Sequence, residues 1–127
     1  MTKINIQADC NNAPKKEFLK DFNIAFASAD TDFLLNHVDE NIQWTIYGDK
    51  KIEGKKHFEK AILEMKNYVA DEMNIFTIIT HGVEAAVNGS MKIKDSIYNF
   101  CDIYQFKSLG VKPLQKCILM LSKKIRP

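Results

Sequence analysis

The sequence has a single arginine, Arg126, and only three cysteines, Cys10, Cys101 and Cys117, in 127 residues. An odd set of widely spaced cysteines with no C-x-x-C argues against a disulfide framework. It is the pattern of reduced thiols, so a cytoplasmic location is expected. His37, His57 and His81 stand apart in the sequence. No zinc-ligand spacing is present, and neither a metal nor a cofactor is expected. No apolar run approaches the roughly 18 residues that cross a bilayer, and MTKINIQADC lacks the apolar core of a signal segment; no membrane partner is expected. A charge of one sign is also missing, since 18 basic residues face 16 acidic ones for a net +2. Without a continuous basic face, nucleic acid is not an expected partner. The one short basic cluster, Lys123, Lys124 and Arg126, is expected to be a solvated tail.

What is present is the composition of a single globular domain, 46% hydrophobic and 27% charged, with no repeat, linker or low-complexity stretch. Residues 1–13 are expected to be a short N-terminal arm, and 14–124 a single domain. Asn11, Asn12 and Pro14 give a helix-start signal. Phe18, Phe22, Ala25 and Phe26 then recur on one face of a helix over Pro14–Ser28, widened by Leu19. Asp30 suits the N-cap of a short helix over Thr31–His37. Asp39, Glu40 and Asn41 are expected to turn the chain into a strand over Ile42–Tyr47, which is rich in β-branched and aromatic residues. After Gly48 and Gly54 a third helix is expected over Lys55–Val69, with Phe58, Ala61, Ile62, Met65 and Val69 on one stripe.

The texture then changes. Strands are expected over Met73–His81, Val83–Ile93 with a bulge or bend at Gly89, Ser96–Lys107 and Leu114–Lys123. Closely spaced late strands imply antiparallel hairpins. Helices gathered ahead of them imply an α+β domain, its helices on one face of a curved antiparallel sheet.

The segment SIYNFCDIYQFK, from Ser96, alternates cleanly. Tyr98, Phe100, Asp102, Tyr104 and Phe106 share one strand face, and Ile97, Asn99, Cys101, Ile103 and Gln105 the other. One carboxylate thus stands among four aromatic rings, where lost hydration raises its pKa. Asp102 is either a ligand-contacting acid or a buried acid satisfied by a tyrosine or the backbone. Tyr98 and Tyr104 could donate to a ligand or to Asp102 itself. Trp44, the only tryptophan, suits core packing or a pocket wall. His57 is expected toward solvent, His81 at a turn, and Cys101 and Cys117 as small buried hydrophobes.

In order and spacing, FASADTDFLLNHVDENIQWTIYG, GKKHFEKAI, THGVEAAVNGSM and YNFCDIYQF resemble the nuclear transport factor 2-like superfamily in its SnoaL-like branch. The resemblance spans roughly residues 14–124. It implies a cone-shaped, cystatin-like α+β barrel: a strongly bent sheet wrapped against the first long helix, with a pocket between them and a homodimer formed through the sheet.

The same resemblance can be tested position by position. C-D-I-Y-Q-F places Asp102 where ketosteroid isomerases carry the acid that donates to the substrate oxygen. Their general-base carboxylate, counted back from Gly54, falls on Thr45 or its neighbour Trp44, and their donor tyrosine on Phe22. None of these shuttles a proton near neutral pH, and phenylalanine donates no hydrogen bond. The Asp-Arg-Asp arrangement of the epoxide-hydrolase relatives lacks its arginine, because Arg126 lies in the tail.

The expected ligand is a small hydrophobic, ring-containing molecule. Its pocket is expected to be lined by Phe18, Phe22, Phe26, Trp44, Phe58, Tyr98, Phe100 and Tyr104, with Asp102 as the candidate acid of a cofactor-free isomerase- or cyclase-type reaction. A non-catalytic, dimeric protein-interaction module of the same fold is the alternative.

Overall fold

In the computed structural model, which describes residues 2–10, 13–46, 48–107 and, by backbone alone, 114–125, Pro14 opens the helix around which the sheet curves. This helix, α1 (Pro14–Ala27), has proline in its first turn after an extended Ala13, and it buries Phe18, Leu19, Phe22, Asn23, Ala25 and Ala27. The expected cap residues Asn11 and Asn12 lie outside the described residues. Asp30 caps α2 (Thr31–Asn36) by accepting from the Phe33 backbone N–H at 3.2 Å. The strands are β1 (Lys3–Ile6), β2 (Val38–Ile46), β3 (Lys50–Glu53), β4 (Glu72–His81), β5 (Glu84–Ile93), β6 (Ser96–Phe106) and β7 (Leu114–Ile125), and α3 spans Lys55–Glu64. Among the described residues they form one sheet in the order β1-β4-β5-β6-β7-β2-β3.

The α+β class and the curved sheet are as expected, but the sheet is mixed. The hairpin neighbours β2–β3, β4–β5, β5–β6 and β6–β7 are antiparallel. The pairs β1–β4 and β2–β7, distant in sequence, are parallel. Lys3–Ile6, within the expected arm, joins the sheet edge as β1. It is held by the Asn5 side chain donating to Asn74 Oδ1 at 2.9 Å, across a separation of 69 residues.

Other boundaries differ for identifiable reasons. Asp39–Asn41 do not end the chain's extension; they run within β2, where a register irregularity between Val38 and Gln43 absorbs them with Glu40 and Asn41 exposed. Lys50–Glu53, between Gly48 and Gly54, pairs with β2 as a short lysine-bearing edge strand, the kind that resists edge-to-edge pairing. The third helix stops at Glu64 and tightens into a 3-10 turn over Met65–Asn67. Val69 is therefore 43% exposed rather than on the buried stripe. The next residue, Ala70, is buried and donates its N–H to Ala27 O at 3.0 Å, pulling the chain toward β4. Lys123 and Lys124, expected in a tail, lie on β7; Tyr47 and Arg126 are outside the described residues.

The expected irregularity at Gly89 falls on the facing strand. Ile75 pairs with Gly89 and Thr77 with Asn88, so Phe76 is the extra residue of a bulge in β4. A Cβ on Gly89 would lie 2.0 Å from Asn74 O and 2.8 Å from Phe100 Cζ. Only glycine allows this approach of backbone and ring, and the bulge beside it bends the sheet. The core fills the space between the inner sheet face and the helices. Phe18 meets Phe106 at 5.8 Å between ring centroids, and Phe22 meets Tyr104 edge-on at 6.1 Å.

Candidate functional site

A cavity of about 260 Å³ opens where the sheet curves away from α1. Period-two alternation brings Tyr98, Phe100 and Asp102 of β6 to its wall. Beside them stand Met91 and Ile93 of β5, Met73 of β4 and Trp44 of β2. The row is set by register, with Met73 opposite Met91 and Met91 opposite Tyr98. Asn23 and Phe26 of α1 close the far side, and Met65 and Tyr68, the latter 62% exposed, form the mouth.

Of the residues expected to line a pocket, Phe26, Trp44, Tyr98, Phe100 and Asp102 reach the cavity. Phe18, Phe22, Phe58 and Tyr104 do not. All four are buried behind the wall. Phe58 packs edge-on against Trp44 at 5.6 Å, and Phe18 and Phe22 pack on each other at 5.8 Å. Asn23 was missed, although a polar residue in line with Leu19 and Phe26 on a buried helix stripe was a readable signal. Met65 and Tyr68 were hidden by the early end of α3, and Met73, Met91 and Ile93 look like ordinary core in sequence.

Asp102 is 6% exposed. Its Oδ2 accepts the Tyr104 hydroxyl at 2.7 Å. Asn23 in turn donates to the Tyr104 oxygen at 3.1 Å and to Leu19 O at 2.8 Å. Tyr104 thus supports the acid from behind. Asp102 Oδ1 is buried with no hydrogen-bond partner among the described residues, and so is Trp44 Nε1. Burial drives the Asp102 pKa up from 3.8 to about 7, against the opposing pull of the Tyr104 hydrogen bond. Near neutral pH the group therefore exchanges a proton readily, which is what general acid–base work requires.

The positions that fail the isomerase comparison fail in the structure too. Phe22 is sealed in the core and Thr45, half-buried on β2, does not line the cavity. His57 and His81 are exposed and away from it. Cys101 is half-buried rather than buried, and the Cys117 side chain lies outside the described residues. Among the described residues no cluster of three His, Cys, Asp or Glu is arranged to hold a metal. Nor is any helix among them long and apolar enough to cross a membrane.

No family model matches the sequence, and no curated protein matches it. Solved structures do match. A protein assigned as a SnoaL-like polyketide cyclase from Shewanella denitrificans superposes with a TM-score of 0.75 at 13% identity, over 87% of this chain and 92% of that one. An NTF2-like protein from Burkholderia xenovorans gives a TM-score of 0.74 at 13% identity, over 94% of this chain and 91% of that one. The chain has the NTF2-like fold. Two further matches differ in their stated chemistry. A protein assigned as a ketosteroid isomerase from Kribbella flavida gives a TM-score of 0.73 at 10% identity, over 90% of this chain and 82% of that one. An LEH-like epoxide hydrolase from M. tuberculosis gives 0.71 at 12%, over 88% and 85%. An NTF2-like cone therefore sets the frame, and the chemistry must be argued from the side chains in it.

Proposed function

We propose that residues 14–124 form one SnoaL-like domain that binds a small hydrophobic, ring-containing molecule in its cone cavity, with Asp102 holding a proton toward it. The observation that carries this is the free carboxyl oxygen of Asp102, buried in an apolar wall with its other oxygen anchored by Tyr104. An unpaired buried polar atom is costly, and a ligand group is the natural partner. The reaction class this supports is isomerase- or cyclase-type polarisation of a ligand oxygen by one acid. Among the described lining residues there is no second carboxylate to act as a separate base.

The exposed Phe76 and Ile79 on β4 support a homodimer formed through the outer sheet face, which sedimentation equilibrium tests. The unpaired Cys10 and Cys101 support a reducing, cytoplasmic setting. The ligand reading is tested by a thermal-shift screen of wild type beside Asp102→Asn with phenols, steroids, terpenoids, cyclic ketones and aromatic acids. A ligand that binds the native state raises Tm by mass action. A class of hits that weakens in the variant supports the reading. Equal shifts in both proteins sink the role of Asp102, and no shift in either favours a protein-interaction module.

A further inference from the structure

Two residues of the cavity wall carry the buried polar atoms that lack partners among the described residues, Trp44 Nε1 and Asp102 Oδ1. Trp44 is 2% exposed and Asp102 6%. An indole N–H donates and cannot accept, so whatever completes Trp44 brings an acceptor. The ring is not free to turn away. Phe26 and Phe58 hold it edge-on at 5.3 and 5.6 Å. Trp44 pairs with Cys117 and Asp102 with Leu119 across β7. These register positions are two apart, so alternation puts Trp44 and Asp102 on one sheet face. Two strand spacings across and two residues along the strands, their backbones stand roughly 12 Å apart.

The charge of the occupant follows from the rest of the wall. Among the described lining residues there is no Lys, Arg or His. An anion would enter without a counter-charge, next to a carboxyl group. A cation would suit the carboxylate and the aromatic rings, but it leaves the Trp44 N–H unpaired. A neutral molecule with an acceptor oxygen satisfies the wall at no charge cost.

Resting on the reading of this cavity as a ligand site, we propose that its occupant is an uncharged molecule with an acceptor oxygen that takes the Trp44 indole N–H, and with a second polar group facing Asp102. Trp44 is then a specificity-determining residue and not only a wall.

The test uses four probes that share one bicyclic frame: 1-tetralone, the hydrocarbon tetralin, the anion 1-naphthoate and the cation 2-aminotetralin. Because Trp44 is the sole tryptophan, its fluorescence reports on the site directly. Affinities of the variant come from calorimetry. One net hydrogen bond is worth about tenfold in affinity. The expected result is that 1-tetralone binds about tenfold more tightly than tetralin, shifts the Trp44 emission to longer wavelength, and outcompetes both charged probes. In Trp44→Phe, tetralin should bind as before while the ketone loses its advantage. If that variant does not fold, the ranking and the emission shift in wild type decide alone. A ketone no better than tetralin, an advantage that survives Trp44→Phe, or a charged probe that binds best overturns the inference and leaves the cavity as an apolar ligand site. If none of the four binds, the ligand reading falls and this inference with it.

Discussion

Asp102 makes the stability of this protein depend on pH in a direction opposite to that of an ordinary salt-bridged acid. Its pKa rises from 3.8 in the unfolded chain to about 7 in the fold, because burial penalises the charged form more than the Tyr104 hydrogen bond favours it. Below pH 3.8 both states hold the proton and the group adds no pH dependence. Between about pH 4 and 7 the unfolded chain releases the proton while the folded one keeps it, so stability falls as pH rises. Above about pH 7 both are ionised and the loss levels off. At about 1.36 kcal/mol per unit the full effect is about 4 kcal/mol, a large share of the roughly 5–15 kcal/mol typical of a domain. Other groups titrate in the same range, so the measurement is a difference. Urea unfolding of wild type and Asp102→Asn would be compared at half-unit steps from about pH 4 to 8.5. The amide in the variant does not titrate, and the wild type should lose about 4 kcal/mol relative to it across that window. Parallel profiles would refute the reasoning, and would mean that the carboxyl is hydrated through the cavity and ionises as it does in water.

Further outcomes are expected elsewhere. Gly89→Ala should cost about 3 kcal/mol in chemical denaturation, because its Cβ would overlap backbone oxygen and not a movable side-chain tip. Phe22→Ala, deep in the core, should cost about 4 kcal/mol while leaving the affinity of any cavity ligand within about threefold, since Phe22 does not line the cavity. Removing residues 1–8 strips β1 from the edge of β4. It should lower Tm and produce concentration-dependent aggregation in light scattering, as an uncovered edge invites pairing.

The parts of the fold that sequence revealed are those written in local periodicity. β6 alternates over its whole length, from half-buried Tyr98 through buried Phe100, Asp102, Tyr104 and Phe106, and α1 repeats its phenylalanines every turn. What stayed hidden depends on distant partners. Nothing in KINI points to β4, and nothing in KKIE announces a pairing with Trp44 and its neighbours. The site divides in the same way. Periodicity assigns a face but not a depth along a cone. Phe26 and Phe100 therefore reach the cavity while Phe18, Phe22 and Tyr104, on the same faces, are buried in the core behind its wall. The methionines had no local mark at all, because Met73 and Met91 become wall only through the register of β4 against β5.

The place of β7 in the sheet has a consequence for how the chain acquires its shape during synthesis. The strand nearest the C-terminus lies between β6 and β2, so within the sheet it is the strand that joins the β4–β6 meander to the β2–β3 hairpin. While the chain emerges from the ribosome from its N-terminus, these two pieces exist without the strand that unites them. Each presents an unpaired backbone edge and half of the cavity wall, Trp44 on one piece and Asp102 on the other. The final closure pairs Trp44 with Cys117, a long loop to close before any contact repays it, and such steps are slow. The nascent protein is thus most exposed to wrong pairing just before β7 arrives. The cavity comes into being as a whole with that one strand.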